Sequence, residues 1–233
     1  MPLAGFGRAA LRCHTPTQFR ALLKSLRTII PYNRACASWG HPVQSSLRYI
    51  LNADFPLDLI SWYLGTGTQW RSPLYREWLT TNEPFLWSDA AARFKGRIDP
   101  EHFRRVVEAG VQHSLLGGVA NLEKDYYVLF ILDMGTEAAA RQSMQMFKDV
   151  LPSIVQASQQ SYPDNLLSKR EIRILERRML GEIVKQIADE EGITQRTVSA
   201  HLTHIKRKLH TNDLINAVVI ALRTGMMFPP HRP

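Results

Sequence analysis

At 233 residues with 45% hydrophobic side chains, the chain is sized for one larger domain and one small one. A formal charge of +8 favours anionic partners, nucleic acid first. No apolar run nears the ~20 residues of a membrane span, and no basic-then-apolar secretory leader opens the chain, so a cytoplasmic, membrane-free protein is expected.

In chain order, residues 1–7 hold two glycines and a proline and are expected to be loose. Residues 17–30 place Phe19, Leu22, Leu23, Leu26, Ile29 and Ile30 at helical spacing, with Pro31 closing the run. Short strands at 34–40 and 46–51 flank a turn at His41-Pro42. An aromatic segment, 55–87, follows, interrupted by Gly65, Gly67, Pro73 and Pro84. Residues 98–110 read as a helix. Residues 115–120 and 126–132 read as strands joined by a polar turn. A long helix from Glu137 to about residue 159 buries Phe147, Val150, Leu151, Ile154 and Val155, with Pro152 inside it. The polar stretch that follows is the linker candidate.

The order helix, strands, helices, hairpin, helix predicts an α+β protein. Its N-terminal domain, 8–158, is an α/β/α sandwich of the GAF or PAS kind, an antiparallel sheet with helices on it. Residues 159–166 form the linker. Residues 167–227 form an all-α, four-helix module containing a helix-turn-helix.

The module is read from its caps and spacing. Ser168 and Glu171 have capping-box spacing ahead of Ile172, Ile174, Leu175 and Met179. A second helix, 182–190, is expected to bury Ile183, Ile187 and Ala188. Gly192 permits the tight turn, and Thr194 caps a third helix anchored by Val198, Leu202, Ile205 and Leu209. A fourth helix, from Asp213, carries Leu214, Ala217, Val218, Ile220 and Ala221. Small Ala188, Gly192 four places on and Val198 six beyond it give the spacing that presents a helix to a major groove. The exposed face of the third helix then offers Gln195, Arg196, Ser199, Thr203 and Lys206 to base edges. Arg207 and Lys208 fall where phosphates would lie. The bland alternative is a four-helix module with a solvated basic face.

The residues Leu167-Ser168, Arg170-Glu171, Ile174-Leu175, Gly181, Lys185-Gln186-Ile187-Ala188, Ile193-Thr194, Thr197-Val198, His201, Ile205 and Lys208-Leu209 together resemble the LuxR-type (NarL/GerE-like) DNA-binding domain. The resemblance implies a recognition helix in double-stranded DNA and homodimers on two-fold half-sites. It adds Lys185 and Thr197 to the DNA-contacting set. The chain departs from the family pattern at Ser199, where lysine is usual, at His210 for glycine, at Leu214 for arginine and at Arg177 for an apolar residue.

Phe55-Pro56, Tyr63, Pro73 and Phe85-Leu86-Trp87-Ser88 resemble the autoinducer-binding domain of quorum-sensing regulators, and residues 115–155 are also similar to EpsA-like regulators. In lactone-binding members a tryptophan, a tyrosine and an aspartate grip the ligand's polar head. The resemblance puts those positions at Leu59, Tyr63 and Ser72, so only the tyrosine is kept. With Trp87 these four form the tentative ligand set. Three functions compete: a ligand-gated regulator, a regulator whose first domain only dimerises or binds a partner protein, and an enzyme or metabolite-binding domain with an incidental helix-turn-helix. No catalytic constellation and no cofactor motif supports the third.

Cys13 and Cys36 could pair but are expected to stay free, and nothing supports a zinc site around them. His201, His204 and His210 lack the further ligands that metal would need. Asp133 ends an apolar strand as a phosphoacceptor would, but the acidic pair and the element order of a receiver domain are missing.

Overall fold

The computed structural model describes residues 3–162 and 166–227. The chain divides into two compact units, Met1–Ser161 and Tyr162–Pro233.

The first unit runs α1 (Leu3–Leu11), α2 (Pro16–Leu26), β1 (Arg34–His41), β2 (Ser46–Ala53), α3 (Leu57–Thr66), α4 (Thr68–Arg71), α5 (Pro73–Thr81), β3 (Phe85–Leu86), α6 (Trp87–Arg93), α7 (Pro100–Glu108), β4 (Ser114–Asn121), β5 (Tyr126–Asp133) and α8 (Glu137–Ser161). Its antiparallel sheet has the order β2-β1-β5-β4-β3. Strand alternation assigns two faces. Ala37 pairs with Phe130 and Trp39 with Val128 on one face. There Phe19 of α2 packs edge-on to Trp39, with ring centroids 5.7 Å apart. Gly117 of β4 lies on this face too, and a Cβ there would come within 2.9 Å of Phe147 in α8, so the glycine sets how closely helix and sheet approach. Cys36, Ser38, Leu129 and Ile131 point the other way, toward α3–α7. The result is the expected three-layer α/β/α sandwich.

The breakers in the aromatic segment become helix ends. Gly67, at φ 62°, closes α3 and Pro73 opens α5. Asn82, also left-handed at φ 56°, ends α5, and its side chain bonds both backbone groups of Ala120. That clamp fixes the start of β3 beside β4.

Three expectations are corrected. Residues 3–7 are not loose but form most of α1, whose Phe6 and Ala10 are buried, because those two apolar side chains pack with α8. Helix α8 runs through residues 159–161 of the expected linker. The hydroxyl of Ser158 donates to the Val155 carbonyl and Ser161 meets Cys13 at 3.2 Å, so polar side chains are buried without loss of partners. Residues 163–165 of that linker lie outside the described residues. Ile183, expected in the core, is 57% exposed, because it precedes the second helix of the module instead of riding on it.

The second unit comprises α9 (Lys169–Met179), α10 (Val184–Glu191), α11 (Gln195–Lys208) and α12 (Leu214–Arg223). Ser168 and Glu171 form the expected capping box, and Thr194 caps α11 by accepting from the Thr197 backbone N–H. Gly192 ends α10 at φ 64°. Ile174, Leu175, Ile187, Val198, Ile205, Ala217 and Ala221 make the core. No helix of the described residues is long and apolar enough to cross a membrane.

Candidate functional site

The second unit separates its charges. Every carboxylate that closes its ion pairs lies on α9, on α10 or in the turn between them. Arg173 holds Glu191 at 3.0 Å, and Arg177 holds Glu190 at 2.8 Å and Glu182 at 3.1 Å. Arg177, the departure from an apolar position, therefore staples α9 to α10 by charge. Hydrogen bonds from Arg173 keep the Glu191 carboxyl below the usual glutamate range. Helix α11 contains no aspartate or glutamate. Gln195, Arg196, Ser199, Thr203 and Arg207 are exposed on it, Lys206 and Thr197 are half-buried, and Lys185 is exposed on α10.

Lys208 is placed differently from the other cations. Its Nζ donates to the buried Glu171 carboxylate at 2.8 Å, so it joins the end of α11 to the start of α9. Burial works to raise the Glu171 carboxyl, but hydrogen bonds from Lys208 and Ser168 outweigh it and hold the group low. Thr203 spends its hydroxyl on the Ser199 carbonyl at 3.0 Å.

The first unit gathers chemistry inside instead. Tyr63, Ser72 and Trp87 line one cavity of about 80 Å³ beside the sheet. Leu59, though buried, is not among its lining residues. A second cavity of about 100 Å³ adjoins it, sharing Tyr63, Gln69, Tyr75, Leu129 and Ile131. Aromatic rings crowd the walls: Tyr75 and Trp78 both stand against Tyr127, at centroid distances of 5.8 and 6.3 Å.

His102 is the site residue that sequence reading missed. It rides on α7, 5% exposed, and its Nε2 meets the Tyr63 hydroxyl at 2.8 Å. Burial pushes the imidazole down to about 4, so it is neutral at pH 7, and its Nδ1 has no partner. Burial also raises the Tyr63, Tyr75 and Tyr127 phenols, and the Cys36 thiol to about 12. Neither cavity is lined by a charged side chain. The one signal for His102 in the sequence was its position three after Asp99, whose side chain caps α7 at the His102 N–H.

Asp133 has a structural task. Fully buried, it accepts from Arg34 at 2.8 Å and from the Gly135 N–H at 3.0 Å. Both cysteines are free and buried.

A four-helix module with a capped third helix, joined to an α/β/α sandwich with an internal cavity, defines a two-domain regulator of transcription. The family described as bacterial regulatory proteins of the luxR family matches residues 165–221. The HTH-type quorum sensing-dependent transcriptional regulator RpaR of Rhodopseudomonas palustris is 30% identical over 179 residues, covering 74% of this chain and 73% of that protein. The chain belongs to the LuxR family of DNA-binding transcription regulators. Its fold matches that of SdiA in complex with octanoyl-rac-glycerol, with a TM-score of 0.53 and 14% identity over 98% of this chain and 96% of that one. It also matches the N-acylhomoserine lactone dependent factor CepR2 of Burkholderia cenocepacia, with a TM-score of 0.52 and 12% identity over 67% of this chain and 90% of that one.

Proposed function

We propose that the chain is a dimeric regulator that reads DNA with α11 and holds a small uncharged molecule in its first unit, without being a receptor for ordinary acyl-homoserine lactones. The DNA reading is carried by one observation: Arg196, Lys206 and Arg207 stand on a helix without acids, while Glu182, Glu190 and Glu191 are already paired with arginines of α9. Gln195, Arg196 and Ser199 are assigned to base edges, and Thr203, whose donor is taken by the Ser199 carbonyl, can only accept there. Lys185, Lys206 and Arg207 are assigned to phosphate, with Thr197 at the helix start. Lys208, bound to Glu171, serves the fold of the module first. Dimerisation through α12 is supported by Ile215 and Val219, apolar and exposed on it. Light scattering of the full chain tests this: Ile215→Asp should convert dimer to monomer, and a wild-type monomer both on and off DNA would overturn it.

The ligand reading is supported by an uncharged cavity whose lining brings Tyr63, Ser72, Trp87 and His102 together. Against ordinary lactones stand Ser72, a short neutral group where an aspartate would accept from the ligand amide, and Leu59, which brings no donor. A missing charge-assisted hydrogen bond lowers affinity by about 1.5–3 kcal/mol. Calorimetry with short- and long-chain lactones tests it: the expected result is no nanomolar binding, and nanomolar binding abolished by Tyr63→Phe would overturn it. A second reading, that the first unit only dimerises or binds a partner protein, is favoured by the small size of the cavities, each well below the ~300 Å³ of common ligand sites.

A further inference from the structure

Charge is spread unevenly along the chain. Asp54 is its first acid, and seven of the 29 Lys and Arg residues precede it. Residues 1–53 therefore hold seven of the eight net positive charges, and the remainder, with 22 bases against 21 acids, is almost neutral. Five of those seven fall on α1 and α2 or within one residue of their ends: Arg8, Arg12, Arg20, Lys24 and Arg27. Arg27 reaches Asp54 at 3.3 Å. Arg8, Arg12 and Lys24 are exposed, with no carboxylate within ion-pair distance among the described residues.

Two of these bare cations stand on a groove. Between α1 and α2 runs an open groove of about 580 Å³, several times the volume of either cavity beside the sheet. From α1 it is lined by Gly5, Arg8, Ala9 and Arg12, which follow one another at i, i+3, i+4 and i+7. The wall from α2, between Gln18 and Ser25, repeats that spacing. Each helix therefore gives the groove one continuous stripe, about 10 Å long at the helical rise. Ala9, Ala21 and Leu22 make its surface apolar, and small side chains let another helix approach closely. The opposite faces of α1 and α2 are already spent, since Phe6, Ala10, Phe19, Leu23 and Leu26 are buried.

The groove excludes other polyanions by shape and chemistry. A bilayer surface is flat and does not enter a concave channel. A sugar-phosphate backbone needs donors along its path, where this groove offers alanine and leucine. A helix with an apolar stripe flanked by carboxylates satisfies both parts, the stripe on Ala9, Ala21 and Leu22 and the carboxylates on Arg8 and Arg12. A second copy of the chain suits it poorly, because Glu101, Glu108 and Glu137, on its own helices, are already held by arginines. We propose that the α1–α2 groove docks an acidic amphipathic helix of a partner protein. This stands apart from any ligand held beside the sheet and from DNA contact by α11.

The test uses the full chain and fluorescence anisotropy of a labelled, lactam-stapled helix of about 14 residues, with alanine and leucine on one face and glutamate on both flanks. At low salt it should bind saturably, and roughly tenfold or more tightly than the same helix with glutamine for glutamate. The double variant Arg8→Glu, Arg12→Glu should lose that preference and instead prefer a helix with lysine for glutamate. Ala21→Trp, at an exposed position, should fill the groove and weaken the glutamate helix roughly tenfold while leaving the circular dichroism unchanged. Equal binding of the glutamate and glutamine helices, or no binding of either, would overturn the proposal. So would indifference to both variants, which would place the peptide on another basic surface such as α11. Duplex DNA and phosphatidylglycerol vesicles are the other arms. Neither should respond to the double variant, and a roughly tenfold loss of either would assign the patch to that polyanion and overturn the proposal.

Discussion

The two units handle unpaired polar groups in opposite ways. The first hides them: Ser72, Gln69, Trp78 and His102, which line small, uncharged, aromatic-walled cavities, each keep a buried polar atom without a hydrogen-bond partner. The second displays them: Arg196 and Arg207 project from α11 into solvent, while Glu182, Glu190 and Glu191 are held by arginines of α9. Unsatisfied groups are costly only when buried, so the first arrangement costs stability and the second almost nothing. On the function proposed above, one unit suits a neutral partner and the other a polyanion.

The sharpest way to break that contrast is salt. Phosphate neutralisation by Lys185, Lys206 and Arg207 in a dimer should release about six counterions, so DNA affinity of the full chain should fall roughly a thousandfold between 50 and 200 mM salt. Binding of any neutral guest in the first unit should be flat over the same range. A gel-shift titration measures the first and fluorescence the second. A flat DNA curve would end the assignment of α11.

Acid should separate the units next. The His102 imidazole sits at about 4 in the fold, against an ordinary value near 6.5, because burial disfavours its charged form. The unfolded chain therefore takes a proton first as pH falls. Stability of the first unit is intact above 6.5, declines by roughly 2 kcal/mol on reaching pH 5, and goes on falling until about 4. Glu171 in the second unit is also held low, but its contribution is full above the ordinary glutamate value of 4.5 and is lost only below it. All five tryptophans lie in the first unit, so fluorescence-detected melting reports on it alone. The midpoint should drop between pH 7 and 5, and His102→Gln should remove most of the drop. Equal drops in wild type and variant would mean that His102 is not the titrating group.

What could be read from the sequence follows the same division. The second unit is local: Ser168, Thr194, Asp213 and Gly192 each announce a helix end within four residues, and the structure uses all four. The paired strands were legible for a similar reason, since residues 126–132 alternate across a sheet buried on both sides. The cavity was legible only in part. Tyr63, Ser72 and Trp87 converge although nine and fifteen residues separate them along the chain. His102 comes from another helix altogether, and no periodicity links it to Tyr63. Leu59 went astray because a position carried by resemblance fixes a place on α3 and not the direction its side chain takes. Helix α1 was missed because two glycines and a proline in residues 1–7 argue against a helix, and what holds it is packing against α8.

Within the second unit, base reading and phosphate contact can be told apart. Arg196→Ala should cost about 1–3 kcal/mol at the cognate operator and relax preference at one base position. Lys185→Ala should weaken all sequences alike and lower the salt slope by about one. If Arg196→Ala behaves like Lys185→Ala in binding-site selection, Arg196 belongs to phosphate, and specificity rests on Gln195 and Ser199.

The smallest effect tests a departure from the family pattern. His210 follows α11 with φ at 52°, a left-handed conformation, at the position where the LuxR-type pattern it resembles has glycine. A Cβ in that region crowds the following carbonyl and costs about 1–2 kcal/mol for an ordinary residue, although histidine tolerates it better than most. Glycine removes the clash but frees the unfolded chain, which returns about 0.5–1 kcal/mol to the unfolded side. The terms nearly cancel, so His210→Gly should stabilise the second unit by about 0.5 kcal/mol. His210→Ala keeps the clash without the imidazole and should be neutral to slightly destabilising. His210 is exposed, with no carboxylate within ion-pair distance among the described residues, so no lost contact confuses the comparison. Hydrogen exchange of the Ile205 and Leu209 amides in full-length wild type, Gly and Ala variants reads the difference directly. Should glycine destabilise by 1 kcal/mol or more, the imidazole would be contributing to the α11 terminus, and the turn would be tuned by histidine instead of merely tolerating it.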